Sequence, residues 1–349
     1  MTASFTSRRV SPRASAYALL LIALIAAPWV GLYPVLGTKI LCYALFACAF
    51  HLLLGYTGLA SLGHAAFLGV GGYLAGYGVK AWALPPELAL LAGLAAGALL
   101  GLVIGFISIR RSGIYFTMIT LALAQMVYFL CVQIPQTGGE DGLQGIDRGL
   151  LFGVLDLRDD TAMYYTVLVI AVACFLLITR VVYSPFGQAL QAIKDNEPRA
   201  ISLGYHPPHY KLIVFILSAA LTGLAGALKA ISLGFVTLSD VHWMTSGHAL
   251  LMTLVGGMGI LSGPVVGALA LVVLENKMGE LGTLIAGATG IAWFTTLGES
   301  VMMVMGIVFV ICVLAFRHGI MGEVVALQQR RRGTLASSST TSTSREPQR

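Results

Sequence analysis

Long apolar stretches alternate with short polar breaks along this chain, at the spacing of membrane helices. Apolar runs of roughly twenty residues occupy 17–36, 38–55, 61–79, 88–109, 112–134, 162–182, 211–234 and 293–316. Two shorter runs, 244–255 and 262–274, sit before the last one. Both are below the ~17 to 25 residues that a span needs, so they give either two crossings or one re-entrant hairpin. Ten crossings follow in the first case and eight in the second. The runs do not show the ten-residue alternation of a membrane barrel, and lipid offers backbone amides no partner, so each run must close its own hydrogen bonds as a helix. The expected fold is all-α, a polytopic helical transmembrane bundle of about 8–10 spans. It divides into an N-terminal segment (1–15), a membrane domain (16–320) interrupted by a polar loop (183–210), and a tail (321–349). The end of that tail, GTLASSSTTSTSREPQR, is low-complexity and is expected to be disordered.

Composition agrees with the pattern. Of 349 residues 57% are hydrophobic and 10% charged, with a mean hydropathy of +0.86, whereas soluble domains carry about 25% charged residues. The formal charge of +6 orients the helices and does not call for nucleic acid. Ten Lys or Arg near run ends fall on the side that holds Arg110, Arg180 and Lys194, and five on the side that holds Lys39, Lys80 and Lys277. This puts both termini and the 184–210 loop of a multi-pass membrane protein in the cytoplasm. Lys229, near the outer end of its run, has a stem long enough to snorkel. Arg8, Arg9 and Arg13 before the first run also suit a signal peptide, but the run lacks a clean small-x-small cleavage site, which favours a retained helix.

Catalytic and energy-converting chemistry is hard to find. The five cysteines lie in or beside apolar runs without CxxC spacing, and the seven histidines lack HExxH spacing, although His242 and His248 are near enough in sequence to meet. No metal site, cofactor or enzyme activity is expected on this chain. A GxxxxGK[ST] loop is absent, so the chain does not itself hydrolyse ATP. Ion-driven carriers keep ionisable residues within their spans. Here the acids sit at run ends or in loops, with Glu275 and Glu299 nearest to exceptions. Glu275 is expected at the interface, paired with Lys277, and His51 as a packed, hydrogen-bonded core residue.

Three polar features remain. The loop SPFGQALQAIKDNEPRAISLGYHPPHYKLIVF (184–215) has the signals of a short capped helix: Asp195 or Asn196 as cap, Glu197 and Pro198 in the first turn, and Gly204 as a positive-φ terminator. Such a helix outside the membrane reads as a docking element. On the other side, 135–160 contains TGGEDGLQGIDRG and is too long for a turn, which makes Glu140 and Asp141 candidates for receiving an external partner. The third feature is a pair of glycine-rich breaks on the cytoplasmic side. One carries Thr57, Ser61, Gly63 and His64, the other Gly256, Gly257 and Gly259, and together they are candidates for an inner gate or pathway. Most of the glycines also suit plain close helix packing.

At these residues the chain resembles the membrane permease subunit of branched-chain amino acid ABC importers. The resemblance rests on GYTGLASLGHAAFLGVGGY (55–73), SGIYFTMITLALAQMVY (112–128), TGGEDGLQGI (137–146), the loop 195–204, GLAGAL (223–228) and GGMGILSGPVVGA (256–268), and runs from about residue 40 to residue 320. It implies a bundle of ABC importer permease type in the bacterial inner membrane. It further implies two ATP-binding subunits that carry ATP and Mg, a second related permease and an external solute-binding protein. Permeases of this kind carry a cytoplasmic Glu-Ala-Ala and downstream Gly signature. Glu197, Ala200 and Gly204 match it here, beside Asp195, while Pro198 and Arg199 replace its middle, and the FRHGIMG ending departs from the family's FRPRGL-like ending. The alternative from a different class is a self-sufficient secondary transporter or channel for small solutes.

Overall fold

A computed structural model describes residues 21–289, except 30, 32 and 154, together with 306, 307, 310, 319, 321 and 322. After a helical stretch at 21–26 come α1 (Pro34–Thr57), α2 (His64–Trp82), α3 (Pro86–Ser108), α4 (Ile114–Gln133) and α5 (Asp160–Val182). Two short helices follow, α6 (Pro185–Asp195) and α7 (Glu197–Ser202), and then α8 (Pro207–Leu233), α9 (Trp243–Gly256) and α10 (Gly263–Thr289). Among the described residues α1, α3, α4, α5 and α8 are long and apolar enough to cross a membrane. The molecule is an all-α helical bundle and a multi-pass membrane protein. The run at 293–316 lies outside the described residues apart from Gly306, Ile307 and Val310.

Local chemistry explains the helix ends. Proline stands in the first turn of α1, α3 and α8, where its missing N–H costs nothing. Asp159 caps α5 by accepting from the backbone of Thr161 and Ala162. The first predicted run does not continue to residue 36: helix stops after 26, and Pro34 opens α1.

Helix α8 sits at the centre, packed against α1, α2 and α3. Small residues let the backbones approach one another. A Cβ on Gly93 of α3 would stand 2.5 Å from that of Ala227 and 3.0 Å from the carbonyl oxygen of Gly71, closer than side chains tolerate. This contact requires glycine, as dense helix packing in membranes does generally.

Four expectations change. The short pair is unequal: α9 has 14 residues, but α10 has 27, about 40 Å of helix, which has the length of a span although its charges keep it out of the five apolar ones. Because α10 runs through Glu275, that residue lies mid-helix and Lys277 is turned ~200° away from it. Glu275 instead meets Lys39 of α1 at 3.4 Å. Lys229 does not snorkel; it is 8% exposed and pairs with Asp240, itself 6% exposed, with the Tyr43 ring 5.2 Å from its Nζ. Asp240 is thus a buried acid that the sequence pattern placed in a loop. His51 is packed as expected, but neither ring nitrogen has a partner among the described residues.

Asp240 is buried because its loop enters the bundle. Strand β4 (Phe235–Val236) follows α8 and pairs antiparallel with β1 (Leu143–Gln144), Leu143 opposite Val236. A second two-residue pair, β2 (Leu150–Leu151) with β3 (Leu155–Asp156), lies within the 135–160 loop. Val236 packs on Gly72, and a Cβ on Gly69 would be 3.1 Å from Val241 Cα, so 235–242 lies alongside the middle of α2. Non-helical backbone at such depth is tolerated only against protein, and the β1–β4 ladder supplies its hydrogen bonds. Helix α9 starts from this depth.

Candidate functional site

The loop after α5 builds a compact two-helix element. Ser184 accepts the Gly187 N–H and caps α6, whose inward face of Gly187, Leu190 and Ile193 follows helical spacing. Phe186 stacks on Tyr210 with ring centroids 5.5 Å apart, fixing α6 to the start of α8. At the other end Lys194 donates to the Gly55 carbonyl at 2.8 Å, a cation at the C-terminus of α1 where carbonyls lack helical partners. The loop is thereby attached to the first glycine break.

Helix α7 is assembled as its residues dictate. Asn196 is the cap, its side chain accepting from Arg199 N at 3.0 Å, and Pro198 lies in the first turn. Asp195 closes α6 instead. Gly204 takes φ 88°, and Tyr205 N–H to Ala200 O at 3.1 Å with Gly204 N–H to Ile201 O at 2.9 Å completes a Schellman end. The candidate residues divide by exposure. Ala200 faces inward, 2% exposed, and Glu197 is ion-paired to Lys211 at 2.8 Å. The outward surface is Arg199, Ile201, Leu203, Gly204 and Tyr205, with Leu203 69% exposed. Sequence reasoning named the framework of α7 and missed these apolar residues. Their signal was present, since apolar side chains in a polar loop have no lipid to face.

The first glycine break packs shut. Thr57 is buried and donates to Leu53 O at 2.6 Å, and Ser61 accepts the Gly63 N–H at 3.2 Å. A Cβ on Gly63 would stand 2.9 Å from the carbonyl oxygen of Thr120 in α4, and Thr117 of the same helix bonds Ala60 O at 2.7 Å. His64 is fully buried, with Nε2 2.9 Å from Ser218 Oγ, which in turn donates to Ala49 O at 2.5 Å. Phe50, Phe67 and Phe215 each meet the His64 ring edge to face, with centroids 5.1 to 5.9 Å apart. His64 thus joins α1, α2 and α8. In the second break Gly257 has φ 108°, Gly256 lies against the Gly263 backbone, and Gly259 is open. The two breaks share a buried apolar cluster through Leu59 and Leu261.

On the opposite face Glu140 and Asp141 occupy a single 3-10 turn between two positive-φ glycines, exposed and without an ion pair among the described residues. Arg158 donates to the nearby Asp147 at 2.8 Å and holds its carboxyl below the usual range. His242 meets Tyr128 and Trp243, and no group of three metal-ligating side chains gathers among the described residues. Among the described residues, a cavity of about 300 Å³ beside residues 21–24, α1, α5 and α10 is lined by apolar side chains with the Cys48 thiol and the Thr179 and Ser262 hydroxyls, and no charged side chain of the described residues lines it.

The high-affinity branched-chain amino acid transport permease LivM of Escherichia coli is 29% identical over 271 residues, and that of Salmonella typhimurium 30%. The alignments cover 70% of this chain, which spans 63% of the length of these two relatives. The permease of the autoinducer 2 import system LsrC of Escherichia coli is 28% identical over 54% of each chain. No solved structure matches. A sequence model of the branched-chain amino acid transport system permease component matches residues 34–313, and the chain belongs to that family.

Proposed function

We propose that this chain is the membrane-spanning permease subunit of an ABC importer for amino acids, branched-chain ones first, across the bacterial inner membrane. ATP and Mg belong to two separate ATPase subunits, and a second related permease and an external solute-binding protein complete the assembly. The observation that carries this reading is α7. Its six residues are capped at both ends and tied to α8, yet the helix presents Ile201, Leu203 and Tyr205 outward. An apolar tip on a rigid polar loop has the form of a knob for a soluble partner. Asp195, Glu197, Ala200 and Gly204 then set the shape of the knob, and Ile201, Leu203 and Tyr205 make the contact.

In this scheme the loaded binding protein lands on the outer loop at Glu140 and Asp141. Closure of the ATPases on ATP displaces α7. Through Lys194 and the α8 contacts the displacement reaches the breaks at Thr57, Ser61, Gly63 and His64 and at Gly256, Gly257 and Gly259, which open as the inner gate. Both termini lie in the cytoplasm. Asp240 is the residue that a self-sufficient ion-driven carrier would need, but Lys229 and the Thr237 backbone already satisfy its carboxylate. Reconstitution tests the proposal: liposomes holding this chain, its partner permease and both ATPases take up leucine only with ATP and binding protein. Uptake by this chain alone on a proton or sodium gradient would overturn it.

A further inference from the structure

Helix α8 carries two buried lysines, and a different loop clips each of them. Near its start Lys211 meets Glu197, the first residue of α7, at 2.8 Å. Near its end Lys229 pairs with Asp240. The lysines are only 7% and 8% exposed. The interval from 211 to 229 is five full turns at about 100° per residue, so both lie on one side of the helix, about 27 Å apart.

Each carboxylate is also built into its own loop. Glu197 opens α7 directly after its Asn196 cap. Asp240 uses its second oxygen to accept the Thr237 N–H, closing the turn that follows β4. Strand β4 is paired to β1 of the outer loop, Ile146 N–H bonds Gly234 O at 3.0 Å, and Lys80 bonds Gln144 O at 2.8 Å. The β1–β4 pairing thus connects the 137–146 segment to the turn that holds Asp240. Between the lysines, α8 meets α3 backbone to backbone, with a Cβ on Gly223 only 2.9 Å from Gly97 Cα. Among the described residues no layer of flexible side chains stands at that contact to absorb a displacement, so α8 is locked to α3 there and a shift at one end would be carried along the pair.

We propose that α8 is a strut linking the outer loop to α7, with Lys229–Asp240 and Lys211–Glu197 as its end clips and Lys229 and Lys211 as positioning residues. This rests on the importer reading above and names how that importer senses its loaded binding protein. Occupancy outside is felt at the ATPase-facing loop through one helix rather than through the gate.

The test uses the full assembly in nanodiscs, with ATP hydrolysis measured with and without leucine-loaded binding protein. The paired variant Lys229→Met/Asp240→Asn removes both charges together, because stranding one of them in the bundle would unfold it. Basal hydrolysis and binding-protein affinity stay at the parent level, while stimulation falls about fivefold or more, the scale of an ordinary coupling energy. Lys229→Arg, which keeps the charge, restores part of the stimulation. Full stimulation in the paired variant overturns the strut. Should that variant not assemble, Lys211→Met decides, with stimulation lowered at unchanged ATPase affinity supporting the strut, and unchanged stimulation, or a loss that only follows weakened ATPase binding, ending it. A parent assembly without any ATP hydrolysis would instead refute the importer reading.

Discussion

Replacing Gly204 with valine isolates one physical quantity. At φ 88° the residue is in the left-handed region, and a Cβ built there meets nothing within 4 Å. The substitution therefore creates no clash with the bundle and acts through backbone strain alone. For an L-residue that strain is about 1–2 kcal/mol, and β-branching lies at its upper end. Helix α7 has only six residues and cannot persist on its own propensity. Its carbonyl ends depend on the Tyr205 to Ala200 and Gly204 to Ile201 bonds that the left-handed residue allows. A cost of this size lowers the equilibrium constant for forming α7 about 5–30-fold, and affinity for the ATPase subunit, measured by pull-down titration from detergent, should fall, by up to that factor. Membrane insertion and yield should not change. Two further variants separate strain from contact. Asparagine tolerates the left-handed region better than alanine but is larger, so Gly204→Asn outperforms Gly204→Ala if conformation governs and falls below it if the ATPase presses on Gly204. Undiminished affinity in Gly204→Val would refute the terminator argument.

Reversing both outer charges, Glu140→Lys with Asp141→Lys, should weaken binding-protein affinity by about 1 kcal/mol at low salt, with the loss shrinking as ionic strength rises; an affinity loss independent of salt would indicate that the loop had refolded. Ser218→Ala removes the hydroxyl between His64 and Ala49 and leaves the buried His64 Nε2 without its partner, while the Ala49 carbonyl keeps its bond within α1, so detergent thermal stability should drop by about 1–3 kcal/mol, and an unchanged melting temperature would place water at the site instead. Asp147 is lowered by the Arg158 hydrogen bond, so the small contribution of the pair is complete above the ordinary carboxylate range and is lost as pH falls through the lowered value. Arg158→Ala should return the Asp147 titration, followed by carboxyl NMR, to the ordinary range.

The α7 framework was legible because each of its parts is local. A capping Asn, a Pro in the first turn and a terminating Gly act on residues within about four positions, and Asn196, Pro198 and Gly204 do so as their types require. The apolar runs were legible for the same reason, since lipid forces each to satisfy its own backbone. Boundaries that depend on more than composition were less so. Glycine keeps α2 below the apolarity of a span, yet the helix is among the best buried, because the same glycines admit α3 and α8. In α10 the charged residues around Glu275 looked like a run end, but Lys39 compensates that carboxylate from a helix 236 positions away.

Asp240 shows why sequence reading fails at particular points. Judged by its neighbours Ser239 and Val241, it belongs to a polar turn at the membrane surface. Its burial depends on β1, nearly a hundred residues earlier, lending hydrogen bonds to β4 so that the turn can descend beside α2. Once the turn lies at that depth, its carboxylate needs a cation, and only a lysine long enough to reach from α8 supplies one. A Lys near the end of an apolar run has two physical outcomes, reaching up to water or across to an acid. Which one occurs is decided by whether a distant segment brings an acid within reach, so the stem of Lys229 gives no sign of the choice. Non-local pairing of this kind also makes the site informative. A buried ion pair costs desolvation on both sides, and a shallower turn would have avoided that cost. Holding Asp240 against α8 therefore ties the 135–160 loop to a helix that Lys211 in turn clips to α7.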